Sequence, residues 1–142
     1  MPSIPAASSR WAGEYPLEQR AAVTLAPDAA TRLAAFPRAT WSDPQRSLAF
    51  AVLRQGDRLL ARKRLILPFF KDLAWSPAQV TVSVSDGQAT FLSPTFTWGL
   101  CLDLDGETPL SDSFFDLYPN QPYTLPWPGP TPPRILRTGN LA

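Results

Sequence analysis

The residues with the most chemical potential lie in one stretch, where Asp103, Asp105, Asp112 and Asp116 place carboxylates close together along the chain. A loop of oxygen ligands at such spacing would hold calcium. The stronger reading is structural: Asp105-Gly106 is turn chemistry, while Ser111-Asp112 and Asp116 suit side chains that bond loop backbone amides. No metal site is therefore expected. Glycoside hydrolysis with retention needs two carboxylates about 5–5.5 Å apart, one of them held protonated by an apolar setting. The glutamates are Glu14, Glu18 and Glu107. Glu14 and Glu18 flank Pro16 in a loop and Glu107 follows a turn, so none has the apolar pocket that an acid catalyst requires. The sequence contains no histidine, which removes the usual general base at neutral pH and every Ser-His or Cys-His dyad. Cys101 is the single cysteine; between two leucines and without a basic neighbour it is expected to be an unreactive thiol. The chain is expected to be no enzyme by itself and to need no cofactor.

Flat aromatic faces are the other candidates. Trp11, Trp41, Trp75, Trp98 and Trp127, with Tyr118 and Tyr123, invite stacking on sugar rings, and Trp98 and Trp127 are the expected sugar-stacking residues. The competing role is packing in a sandwich core or at a domain junction. Arg58, Arg62, Lys63 and Arg64 form a basic run, read as a solvated strand edge that discourages sheet-to-sheet association. With 13 Lys and Arg against 12 Asp and Glu, no broad field of one sign exists to hold a polyphosphate, so nucleic acid is not an expected partner. No apolar run exceeds six residues, Leu65 to Phe70 being one of that length, far below the roughly 18 residues of a membrane helix. A soluble, cytoplasmic protein is expected.

Seventeen prolines among 142 residues leave intervals too short for long helices and well suited to strands. An all-β chain follows. Residues 1–10 carry no basic start and no apolar core, and are read as a flexible leader. Strands are expected at Arg20 to Ala26, Thr31 to Phe36, Leu48 to Leu53 and Arg58 to Leu67, the last two joined by a turn at Gln55-Gly56-Asp57. Val80, Val82 and Val84 alternate with Thr81, Ser83 and Ser85. Asp86-Gly87 then offers the two positive-φ residues of a type I′ hairpin before Ala89 to Ser93 returns. Leu100, Leu102 and Leu104 alternate with Cys101, Asp103 and Asp105. Tyr123 to Leu125 and Arg134 to Arg137 are read as closing strands, with an extended polyproline segment over residues 126–133 between them. The valines of the first run and the leucines of the second are the expected core.

Four pieces, Pro68-Phe-Phe-Lys-Asp-Leu, Val80-Thr-Val-Ser-Val, Leu100-Cys-Leu-Asp-Leu and Ser111-Asp-Ser-Phe-Phe-Asp-Leu-Tyr-Pro119, together resemble the C-terminal end of β-mannosidases of glycoside hydrolase family 2. The last piece is the most specific, resembling the family pattern Ser-Asp-Asn-Tyr-Phe-Asp-Leu-Leu-Pro-Gly-Glu through Ser111, Asp112, Phe115, Asp116, Leu117 and Pro119. Ser113, Asn120 and Gln121 depart from it, and Asn120 tolerates the positive φ that glycine would supply. The resemblance implies an immunoglobulin-like antiparallel β-sandwich architecture, a partial first sandwich over 11–70 followed by a second over 71–142. It also implies that the catalytic barrel and its glutamate pair lie outside this chain.

The expected role is then a non-catalytic, structural one, bracing the catalytic part. The expected partners are upstream catalytic domains of the same enzyme or a second copy of this chain, because missing opening strands would leave Phe50, Val52, Leu59 and Leu65 short of cover. The alternative is an independent carbohydrate-binding module whose exposed aromatics take a mannose-containing oligosaccharide.

Overall fold

The computed structural model describes residues 2–10, 15–41, 43–102 and 110–140, with backbone alone for 2–10. Those residues form ten strands and three single-turn 3₁₀ segments, and every strand pairing is antiparallel. No helix among them is long and apolar enough to cross a membrane. The described chain divides into two compact units, one holding residues 2–10 and 15–74 and the other residues 75–140. The division falls at 74/75 rather than at 70/71, because the Ala74 N–H donates to the Gln45 carbonyl at 3.0 Å and ties the connector back to the first unit.

The first unit is one four-stranded sheet in the order β2-β1-β3-β4, with β1 Pro2–Arg10, β2 Leu17–Ala22, β3 Ser47–Gln55 and β4 Arg58–Leu65. The expected leader is thus a strand, and an interior one. Its backbone satisfies β3 on one side and β2 on the other, a saving in unpaired amides that no local propensity of residues 1–10 announces. Pro5 lacks an N–H, and the ladder to β3 runs through Ser3↔Arg54 and resumes at Ala6↔Ala51. This insertion also changes the expected exposure: Phe50 and Val52 are buried, while Leu65 stays 55% exposed. Tyr15 adds cover, its ring meeting Phe50 edge-on at 6.0 Å.

The second strand ends at Ala22, short of the expected Ala26, and residues 31–36 are irregular rather than extended into a sheet. Alternation alone does not supply a partner edge, and without one a short apolar run lies on the sheet as a strap. The β3/β4 turn is as expected: Gln55 pairs with Arg58, and Gly56 takes φ +58° at the first central position, where a two-residue hairpin favours glycine. The return strand stops at Leu65.

The second unit is a β-sandwich. One sheet has the order β5-β6-β9 and the other β10-β7-β8, from β5 Thr81–Ser85, β6 Gln88–Leu92, β7 Thr97–Leu102, β8 Phe114–Leu117, β9 Tyr123–Pro126 and β10 Ile135–Arg137. Ala89, Phe91 and Leu125 from the first sheet meet Leu100, Leu102, Phe115 and Leu117 from the second in a single buried cluster. Val80, Val82 and Val84 pack against it half-buried, since β5 is the outer strand of its sheet. Thr81, Ser83 and Ser85 are exposed, as the alternation requires. Asp86 and Gly87 adopt φ +51° and +71° between the paired Ser85 and Gln88, the two positive angles of a type I′ hairpin.

Two expectations in this unit are corrected. Ser111 to Pro119 is not all loop, because Phe115 and Leu117 point into the core and carry residues 114–117 into a strand beside β7. Residues 126–133 are not a straight polyproline run, in which positions four apart would stand about 12 Å away from each other. Instead the Trp127 indole N–H donates to the Thr131 carbonyl at 2.8 Å, folding the segment back at Gly129. Leu104, Asp103, Asp105, Gly106 and Glu107, together with Trp11 and Glu14, lie outside the described residues.

Candidate functional site

The Ser111–Pro119 stretch is built around a break in β7. Thr97 pairs with Leu117 and Leu100 with Phe115, so three steps on β7 oppose two on β8 and one residue is extra, a β-bulge. Gly99 takes up the irregularity with φ +53°, and any Cβ there would strike the Phe114 ring. The bulge turns the Gly99 N–H out of the ladder. Asp116, on the facing strand, accepts that N–H through Oδ1 at 2.9 Å. A carboxylate is suited to the position because a charge-assisted bond satisfies a buried amide that has lost its ladder partner.

Asp112 serves the neighbouring corner. Its Oδ1 accepts the Phe114 N–H at 3.3 Å and its Oδ2 accepts the Tyr123 hydroxyl at 2.9 Å, joining the entry of β8 to β9 in the opposite sheet. The Tyr123 ring meets Phe115 at 4.5 Å, and Phe115 meets Phe91 edge-on at 5.1 Å. The motif thereby links both sheets through one polar and one aromatic path. Leu117 and Pro119 are fully buried and Ser111 is exposed. Asn120 holds φ +55°, its N–H donating to the Ser93 carbonyl at 2.8 Å. Ser93 is itself buried, its hydroxyl bonded to Thr97 Oγ1 at 3.2 Å.

Asn140 is a polar anchor that reading the sequence did not find. Its Oδ1 accepts the Trp98 N–H, while its Nδ2 donates to the carbonyls of both Ser76 and Phe96, all three at 2.8 Å. One buried side chain therefore ties the start of the unit, the entry to β7 and the C-terminal tail. In sequence a Gly-Asn pair after a strand reads as turn chemistry, and nothing local marks it as an anchor.

Trp98 and Trp127, the expected sugar-stacking residues, are engaged differently. Trp98 stacks on Trp75 at 5.5 Å with an interplanar angle of 22°, and Gly139 lies so near its ring that a Cβ there would collide. Trp75 also stacks on Phe96, which stacks on Tyr118. Trp127 is half-buried, packs against the core cluster and has its indole N–H occupied by Thr131. Elsewhere, Glu18 is an exposed β2 residue within 2.7 Å of Arg20 Nε. Among the described residues, no group of three His, Cys, Asp or Glu side chains is placed to share a metal ion.

The first unit has a concave feature of its own, a groove of about 380 Å³ over β3 and β4, beneath residues 31–36. Comparison with known proteins finds no match, either to a protein-family model or to a curated protein.

Proposed function

We propose that the chain is a structural, non-catalytic β-sandwich region resembling the C-terminal end of a β-mannosidase, with an immunoglobulin-like second unit that braces a catalytic part. The observation that carries this reading is the employment of the motif's acids. Asp112 and Asp116 spend their oxygens on the Phe114 and Gly99 amides and the Tyr123 hydroxyl, bonds that stiffen a scaffold.

Strand pairing supports the immunoglobulin-like part. In order, the second strand of the unit lies between the first and the fifth, and the third between the fourth and the sixth. That matches A-B-E facing F-C-C′ in such sandwiches. Support for a bracing role comes from Leu65, Leu67 and Phe69, which are 55%, 53% and 76% exposed. A run of large apolar side chains on a surface marks a place where another surface docks. A carbohydrate-binding role is the weaker reading, since the Trp98 ring carries Trp75 and Gly139 and the Trp127 edge is tied to Thr131.

The test has two arms. Titration of the whole chain with manno-oligosaccharides, followed by tryptophan fluorescence, is expected to give a flat response; a saturable change would favour the binding module. Co-expression with the product of the adjoining coding sequence is expected to yield a co-purifying complex with a catalytic barrel. A neighbour encoding no barrel, or a barrel indifferent to this chain, would sink the bracing role.

A further inference from the structure

We infer that the groove of the first unit is a binding site for a small apolar carboxylate, such as an aliphatic acid. This inference is independent of the bracing role. Cross-strand register sets the floor: Ala49 stands opposite Leu65 and Ala51 opposite Lys63, so these four share one face of the sheet. Two alanines on an interior strand leave a hollow where larger side chains would fill the face. The strap over residues 31–36 closes one side with Leu33 and Phe36, both half-buried. The volume, about 380 Å³, falls at the small end of ligand cavities, which run from roughly 300 to 1,000 Å³. A compact molecule fits and a folded partner does not.

Charge selects among compact molecules. Arg32 and Lys63 line the groove on the face of the two alanines, while Arg64, paired with Phe50, borders it through the strand and sends its side chain to the other face; among the described residues no acidic one lines the groove. The chain as a whole is close to neutral, with a formal charge of +1, so two cations at one hollow without a described acid beside them are a local excess of positive charge. Arg64 already lies over the Phe70 ring, 5.6 Å from its centroid. Lys63 shares the face of the two alanines, and its ammonium is the group expected to meet the carboxylate, with Arg32 contributing from the strap. An apolar tail over Ala49 and Ala51 and an anionic head at Lys63 satisfy both halves of the lining at once.

Decanoate is the probe, with decanol and decylamine as matched controls, titrated against the full chain by isothermal calorimetry and by amide chemical shifts. Saturable decanoate binding is expected, with shifts confined to residues near 31–36, 49–51 and 63–65, affinity for decanol about ten-fold weaker, and no binding of decylamine. Lys63→Gln should bring decanoate down to the decanol level, and Ala51→Leu should abolish binding by filling the floor. Equal affinities for decanoate and decanol, unaltered binding by Lys63→Gln, shifts centred in the second unit, or no saturation by decanoate would each overturn the assignment. Should Ala51→Leu fail to fold, Lys63→Gln and the control ligands decide the matter alone.

Discussion

The two units use similar strand chemistry to different ends. In the second, two three-stranded sheets face each other and share one cluster of seven buried residues, to which both sheets contribute. The first has one four-stranded sheet, whose described buried apolar side chains are Leu48, Ala49, Phe50 and Val52 of β3. A sheet buries a face fully when a second layer covers it; a sheet covered by straps of irregular chain keeps hollows and exposed leucines. The sandwich has consequently spent its polar side chains on locking its own bends, whereas the single sheet retains a groove with cations around it. Rigidity and vacancy are divided between the units.

The strongest way to break this comparison is to empty each core in turn. Phe91→Ala should cost about 3–5 kcal/mol and remove amide-exchange protection from β5 to β10 while leaving β3 and β4 protected. Phe50→Ala should do the reverse. Hydrogen exchange followed by mass spectrometry reads both, and simultaneous loss of protection everywhere in either variant would show one cooperative body rather than two.

A somewhat smaller effect sharpens the role of the tail. Asn140→Ala strands the Trp98 N–H and the carbonyls of Ser76 and Phe96, and should destabilise the second unit by about 2–4 kcal/mol in urea denaturation. A loss below that of an ordinary surface change would mean that water replaces the side chain without penalty. Asp116→Ala leaves one bulge amide unpaired and should cost about 1–3 kcal/mol, with no change in any sugar or calcium titration. A variant that kept full stability but lost calcium binding would restore the metal reading of these acids. Smallest of all, Ser83→Asp on the exposed face of β5 should stay within about 0.5 kcal/mol, well below Val82→Asp on the half-buried face. Equal melting temperatures for the two would contradict the alternation assigned to this strand.

Much of this fold is legible in short windows of sequence. Alternation places Leu48, Phe50 and Val52 on one buried face, and Asp86-Gly87 dictates its own hairpin, because only residues tolerant of positive φ occupy both centres of such a turn. The positive φ at Asn120 is equally local. The acids at 112 and 116 can be recognised as backbone acceptors from their residue type and setting, though not which amides they accept. For the second of these, the answer depends on a bulge in β7 that shows itself only once Thr97 and Leu100 are set against Leu117 and Phe115.

What the tertiary structure alone decided is every pairing between distant segments. Residues 2–10 have no pattern that announces a strand, yet β3 has an open edge and an extended backbone satisfies it. Asn140 is unremarkable beside Gly139 until Ser76, Phe96 and Trp98 converge on it. The groove likewise exists because Ala51 comes to lie opposite Lys63 and a distant strap crosses above them. Local sequence fixes φ, ψ and the face a side chain takes; which edge is left open, and which distant backbone group arrives to fill it, is settled by the assembled chain, where an unpaired buried polar group costs more than any local preference repays.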